Sequence, residues 1–94
     1  ADVINGECSV EQASSQARDN LWLLAGGKTL AGVKRMIGRK DYGAEHTLTE
    51  ALSSANGKFD YVIVDTSPSL DTLTINSLFY ATEVLTPVSL EVLV

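Results

Sequence analysis

The run Phe59-Asp60-Tyr61-Val62-Ile63-Val64-Asp65-Thr66-Ser67-Pro68-Ser69 constrains this chain more than any other stretch. An aromatic and a charge lead into three β-branched apolar residues, and the run stops on a carboxylate followed by a turn. Successive strand residues point to opposite faces, so an unbroken apolar run rich in Val and Ile suits a strand covered on both sides, as in a parallel α/β sheet. Asp65 then falls at the carboxyl end of that strand, where open parallel sheets place their ligands. A carboxylate in that position suits Mg²⁺, which favours hard oxygen ligands and keeps much of its water. The same pattern also serves as a plain strand-to-helix turn, so the residues that follow have to separate the two readings.

Three blocks follow one another in order: Phe59 to Leu70, then Leu73-Thr74-Ile75-Asn76-Ser77-Leu78, then Val84-Leu85-Thr86-Pro87-Val88-Ser89-Leu90-Glu91. Together they resemble the ParA/MinD family of deviant Walker ATPases, whose pattern reads (Y/F)-D-Y-(apolar)₃-D-x-x-P-S-L, L-T-x-N-A-L and V-(apolar)-x-P-V-x-x-E. The match is collinear over roughly residues 58 to 91. A weaker likeness runs upstream through Asp2-Val3-Ile4-Asn5-Gly6-Glu7, Asn20-Leu21-Trp22-Leu23-Leu24 and Leu30-Ala31-Gly32. The family shades into ATP-dependent amidoligases such as cobyrinic acid a,c-diamide synthase, which share its nucleotide-binding fold.

The resemblance implies an α/β, three-layer P-loop-NTPase-like sheet, incomplete in this chain, with parallel strands near 21–25, 60–65 and 84–89. It implies that Asp65 holds Mg²⁺ through water in an intact parent, and that Thr66, Ser67, Pro68 and Ser69 form the switch II loop that senses the terminal phosphate of ATP. Glu91 resembles the family's glutamate near the nucleotide and dimer face. One departure stands out: Asp71 occupies a place where many relatives have Gly, and a carboxylate there would weaken phosphate approach unless it points to solvent.

Ninety-four residues allow one domain at most. A net charge of −5 opposes binding to nucleic acid or an acidic membrane surface by the molecule as a whole. No segment approaches the length of a membrane span, and the first residues lack the plan of a signal peptide. The single cysteine, Cys8, has no partner for an internal disulfide, which points to a reducing cytoplasm. Glu7 and Glu11 beside it argue against a functional thiol.

Along the chain, Asn5-Gly6 is a helix-stop signal, and the resemblance places it at the tail of a helix begun upstream. Ser9-Val10-Glu11-Gln12 reads as a capping box, and Val10, Ala13 and Ala17 continue a short helix with a thin apolar face. Leu21 to Ala25 read as a buried strand. Gly27-Lys28-Thr29 imitates the end of the phosphate-binding pattern G-x-x-x-x-G-K-[ST], but the glycine required five residues earlier is Trp22. The stretch therefore reads as a strand-to-helix turn.

Leu30, Val33 and Ile37 mark the buried side of the next helix, and Lys34, Arg35 and Arg39 project away from it. Five of the seven basic residues (Lys28, Lys34, Arg35, Arg39 and Lys40) fall in this stretch, as a solvated face or as a contact surface for DNA, an acidic partner or a second protomer. His46 is alone, without a second ligand at metal spacing, ahead of a capping box at Thr47-Leu48-Thr49-Glu50. Asn56-Gly57 stops that helix. Ser69 caps a helix over roughly 70–82 that is apolar over a wide arc, with Asn76 as a local hydrogen-bonder. Pro87 marks an edge, an end or a bulge in the last strand.

Residues 1–94 are thus expected to be a single partial domain, the middle portion of a ParA/MinD-like ATPase domain. Ala1 in place of Met fits an excised or processed piece. The parent would use ATP and Mg²⁺ for partitioning of plasmids or chromosomes or for cell-division positioning. This piece, without a P-loop, is expected neither to bind ATP tightly nor to hydrolyse it, and no cofactor is assigned to it alone. An exposed sheet edge predicts a homo-oligomer, and no DNA or membrane contact is assigned to the piece. Two alternatives stay open: a stand-alone interaction module without ATPase chemistry, and a fragment of an amidoligase.

Overall fold

The computed structural model describes residues 1–90. Its elements run α1 (Val10–Ala13), β1 (Ser15–Arg18), β2 (Leu21–Leu23), α2 (Leu30–Gly38), α3 (Thr47–Ala51) and α4 (Thr72–Tyr80), with 3₁₀ turns at Ala44–His46 and Ser53–Ala55. The architecture is α/β, with four helices and one two-stranded sheet among the described residues.

The helix-stop signal at Asn5-Gly6 is realised in the backbone. Gly6 sits at φ 78°, Glu7 N–H bonds to the carbonyl of Asp2 at 2.8 Å and Gly6 N–H to that of Val3 at 3.2 Å. Those two bonds and a left-handed glycine make a Schellman ending, which closes a helical turn on its own carbonyls. The Ser9 capping box also forms. Gln12 N–H bonds to Ser9 Oγ at 3.2 Å, and Ser9 N–H to Gln12 Oε1 at 3.0 Å. The helix it starts is shorter than the periodicity suggests, because Ala17 lies in β1 instead.

The sheet differs from the expected one. Leu21–Leu23 pair antiparallel with Ser15–Arg18 through the two-residue turn Asp19-Asn20, and all seven strand residues are exposed. Asn20 takes φ 61°, a left-handed conformation that Asn tolerates better than most residues. A hairpin closes a short loop, whereas a parallel ladder needs a distant neighbour. The expected strands 60–65 and 84–89 form no ladder among the described residues. Their apolar side chains are open to solvent, with Ile63 at 91% and Leu85 at 93% of full exposure. A parallel strand buried on two faces needs strands beside it and helices above and below, and the described residues supply no such flanking strands.

The core lies among the helices. Val3, Val10, Leu52 and Ala55 are buried together, with Leu48, Ala51 and Tyr80 packed against them. In α2 the expected apolar face holds: Val33 and Ile37 are buried, with Ile37 at 1% exposure. In α4 the expectation reverses. The buried residues are Asn76 and Ser77, and Ile75, Leu78 and Phe79 face solvent. The helix packs its polar side on α3 and α2, so its apolar side stays open where a sheet would cover it.

Candidate functional site

The candidate loop follows the uncovered run 59–64 and leads into α4. Asp65, Thr66, Ser67, Pro68 and Ser69 are all exposed. Pro68 fixes its own φ and disfavours helix at Ser67, so the chain turns directly after the carboxylate. The helix begins at Thr72, not near residue 70, and Asp71 caps it in place of Ser69. The carboxylate of Asp71 accepts the Thr74 N–H at 2.9 Å.

Asp71 also organises the residues around it. Its Oδ2 accepts from Lys34 Nζ at 2.8 Å, from Ser69 Oγ at 3.2 Å and more weakly from Ser67 Oγ at 3.5 Å. Ser67 and Ser69 share a hydroxyl contact at 3.0 Å. The Lys34 ammonium is the largest influence holding the Asp71 carboxyl far below the usual aspartate range, and the Thr74 N–H adds to it. Lys34 therefore does not project away from the packed face as its position suggests. Its backbone is engaged too, through Thr72 Oγ1 donating to the Lys34 carbonyl at 3.4 Å.

The structure brings Ser67 and Ser69 together and leaves Asp65 and Thr66 outside that group. Among the described residues no hydrogen bond or ion pair ties Asp65 to another side chain. Glu91 lies outside the described residues. No three His, Cys, Asp or Glu side chains gather into a metal cage among the described residues. The Asp65 carboxylate is a hard-oxygen donor of the kind Mg²⁺ prefers, while the Ser67 hydroxyl is turned towards Ser69 and Asp71.

Asn76, on α4, is at 1% exposure. It donates to the carbonyls of Ala44 at 3.0 Å and Thr72 at 2.9 Å, and accepts the Leu48 N–H at 3.0 Å. It thereby caps α3 from another helix. Thr47 is not the side-chain cap that the sequence suggests; its hydroxyl donates to Ala44 O and accepts from Lys40 Nζ, both at 2.9 Å. His46 is exposed beside Glu45 and edge-on to Phe79, at 5.5 Å between ring centroids. Gly27-Lys28-Thr29 connects β2 to α2, as a strand-to-helix turn would, and Thr29 makes no side-chain cap bond.

Sequence reasoning passed over Asp71 and Lys34 as a pair. An Asp before an apolar-periodic run is a helix-start signal, and here Ser69 competed with it two residues earlier. Nothing in the sequence links position 34 to position 71.

An α/β chain with a carboxylate-ended apolar run, a Ser-Pro turn and a capped helix belongs to a recognisable class of domain. The chain belongs to the AAA domain family, whose model matches residues 1–94, and within it to the ParA/MinD type. It is 34% identical, over 96% of its length, to the chromosome partitioning protein ParA of Caulobacter vibrioides strain NA1000 / CB15N, and equally to that of strain ATCC 19089 / CIP 103742 / CB 15. Among solved structures it resembles cobyrinic acid a,c-diamide synthase from Mycobacterium smegmatis, with a bound ATP analogue and magnesium or with ADP and magnesium. Each matches at 35% identity and a TM-score of 0.76 over 85% of this chain. The chain spans 34% of the length of the ParA relatives and 32% of the synthase.

Proposed function

We propose that this chain is the switch-bearing part of an ATP-hydrolysing domain of the ParA/MinD type, whose parent works in chromosome or plasmid partitioning or in division positioning. The observation that carries the reading is the order of apolar run, Asp65, Ser-Pro turn and capped helix in a member of that family. In the parent, Asp65 holds Mg²⁺ through water at the end of a parallel strand, and Thr66 to Ser69 form the loop that follows the phosphate. ATP and magnesium are supported as the ligands by the synthase structures, which contain an ATP analogue or ADP with magnesium. The parallel strands 60–65 and 84–89 are completed by neighbours outside the described residues, and the parent works in the cytoplasm.

Phosphoryl transfer is catalysed by positioning and charge neutralisation, supplied mostly by a phosphate-cradling loop. Residues 1–94 contain no complete G-x-x-x-x-G-K-[ST]. Calorimetric titration of the 94-residue chain with Mg-ATP is therefore expected to show no tight binding, and roughly micromolar affinity would overturn the inactive reading. With the chain joined to its flanking coding sequence, Asp65→Asn is expected to lower ATP hydrolysis about tenfold or more, as for a residue holding a metal through water. Unchanged hydrolysis would remove Asp65 from the site.

A second reading, an ATP-dependent amidoligase parent, is favoured by the likeness to the synthase at 35% identity. A glutaminase domain in the flanking frame would decide for it, and a complete phosphate-binding loop without one would decide for the partitioning type.

A further inference from the structure

We propose that Asp71 and Lys34 form an internal latch that holds the Ser67-to-Ser69 loop against the start of α4, making both of them positioning residues for that loop.

One carboxylate serves two purposes here. Its Oδ1 caps the helix through Thr74 N–H, and its Oδ2 collects Lys34 Nζ, Ser69 Oγ and Ser67 Oγ. Oδ2 is the crowded oxygen, and the two hydroxyls beside it carry one proton each, so each serine reaches the carboxylate directly or through its neighbour 3.0 Å away. Three of the donors lie outside the helix: two belong to the turn on either side of Pro68, and the third comes from α2, 37 residues away in sequence. Lys34 is held at two points, its ammonium on Asp71 and its carbonyl on the Thr72 hydroxyl. Charge-assisted bonds of this kind are about twice as strong as neutral ones. The pair is only partly exposed on the Asp71 side, at 23%, against 41% for Lys34.

The loop has little else to hold it. Its residues are exposed, and no backbone hydrogen bond among the described residues is donated by the amides of 66–70. Its position is therefore set by the proline and by the hydroxyl contacts to Asp71. The functional meaning of the latch rests on the nucleotide-switch reading: Ser67 and Ser69 would have to leave Asp71 before their hydroxyls could turn to another anion. The contact itself does not depend on that reading.

Substitutions can separate the latch from the cap. Asn is as good an N-cap as Asp, so Asp71→Asn keeps the helix start and removes the charge that gathers Lys34 and the serines. Lys34→Met removes the ammonium without touching the cap, and Lys34→Arg restores a cation. The readout is backbone ¹⁵N relaxation of the 94-residue chain without nucleotide. Order parameters at Thr66, Ser67, Ser69 and Leu70 are expected to fall from above about 0.7 in the unsubstituted chain to below about 0.6 in Asp71→Asn and Lys34→Met. Lys34→Arg is expected to bring them back, while Asn76 to Phe79 stay rigid in all four proteins. Values already below about 0.6 in the unsubstituted chain, or no change in Lys34→Met, would overturn the latch. If Asp71→Asn unfolds α4, the two Lys34 variants decide alone. Because no nucleotide is present, failure here leaves the ATPase reading standing, and failure of Mg-ATP binding in the parent leaves the latch standing.

Discussion

Asn76 Oδ1 accepts the backbone N–H of Leu48 across 28 residues of sequence, so α3 takes its cap from the middle of α4. The Asn76 amide also donates to Ala44 O and Thr72 O. A side chain at 1% exposure that makes three bonds leaves few substitutes. Asn76→Ala strands the Leu48 N–H, at a cost of about 1–3 kcal/mol for a buried group left without a partner, while the Ala44 carbonyl keeps the Thr47 hydroxyl. Asn76→Asp keeps the acceptor, loses both donated bonds and places a charge against two carbonyls, so it is expected to be at least as damaging. Urea unfolding checks both, and a midpoint unchanged in Asn76→Ala would remove the residue from its role as a cross-helix cap.

Acid should weaken the attachment of α4 to α2. The folded Asp71 carboxyl is held below its ordinary range by Lys34, so the charged form favours the folded state. That contribution is fully present above the ordinary aspartate value of about 3.9 and is lost as pH falls towards the depressed folded value. Asp71→Asn has no such proton to gain. The stability difference between the unsubstituted chain and Asp71→Asn is expected to stay level from about pH 7 to pH 5 and to narrow below about pH 4. A difference constant through the acid range would show that Lys34 and Asp71 do not interact in solution.

The helical core predicts an asymmetry between two apolar positions. Ile37 is almost fully buried, and Ile37→Ala is expected to cost about 2–5 kcal/mol through lost burial and the cavity left behind. Leu78 is nearly half exposed on the open side of α4, and Leu78→Ala is expected to cost well under that, about 1 kcal/mol or less. Thermal unfolding of the two variants ranks them. Equal losses would mean that the apolar side of α4 is covered in solution.

What the sequence made legible was mostly local. The capping box at Ser9, the stop at Gly6, the turn at Gly27-Lys28-Thr29 and the Val33/Ile37 face all rest on residues within about two helical turns of one another, where hydrogen-bond partners lie close in sequence. The hairpin at Asp19-Asn20 is local too, but Ala17 completed a helical period with Val10 and Ala13 and masked it. Neither the Lys34–Asp71 pair nor the Asn76 cap is local, and no periodicity encodes either. The buried side of α4 misled for a different reason. Its apolar residues are suited to a sheet, and among the described residues the contacts available to the helix come from α3, α2 and the 3₁₀ turn at Ala44–His46, which meet its Asn and Ser instead. Asp65 was placed at the end of an apolar run and lies there, but the donors that would make it a metal site are not assembled around it.

The open apolar segments predict association. Tyr61, Ile63, Leu85 and Leu90 are each at least 87% exposed, with Val62, Val84 and Val88 adding to them and Ile75, Leu78 and Phe79 open on α4. Exposed apolar strand-forming segments recruit another chain, and a second copy of this one carries the same segments. The 94-residue chain is therefore expected to elute as a dimer or larger species whose mass, measured by light scattering, rises with concentration. Ile63→Lys places a charge in the middle of the run, a device that natural edge strands use against pairing. Because Ile63 makes little contact within the chain, the substitution is expected to shift the mass towards the monomer and leave helix content by circular dichroism unchanged. A monomeric mass for the unsubstituted chain across the concentration range would rule out self-association through these segments.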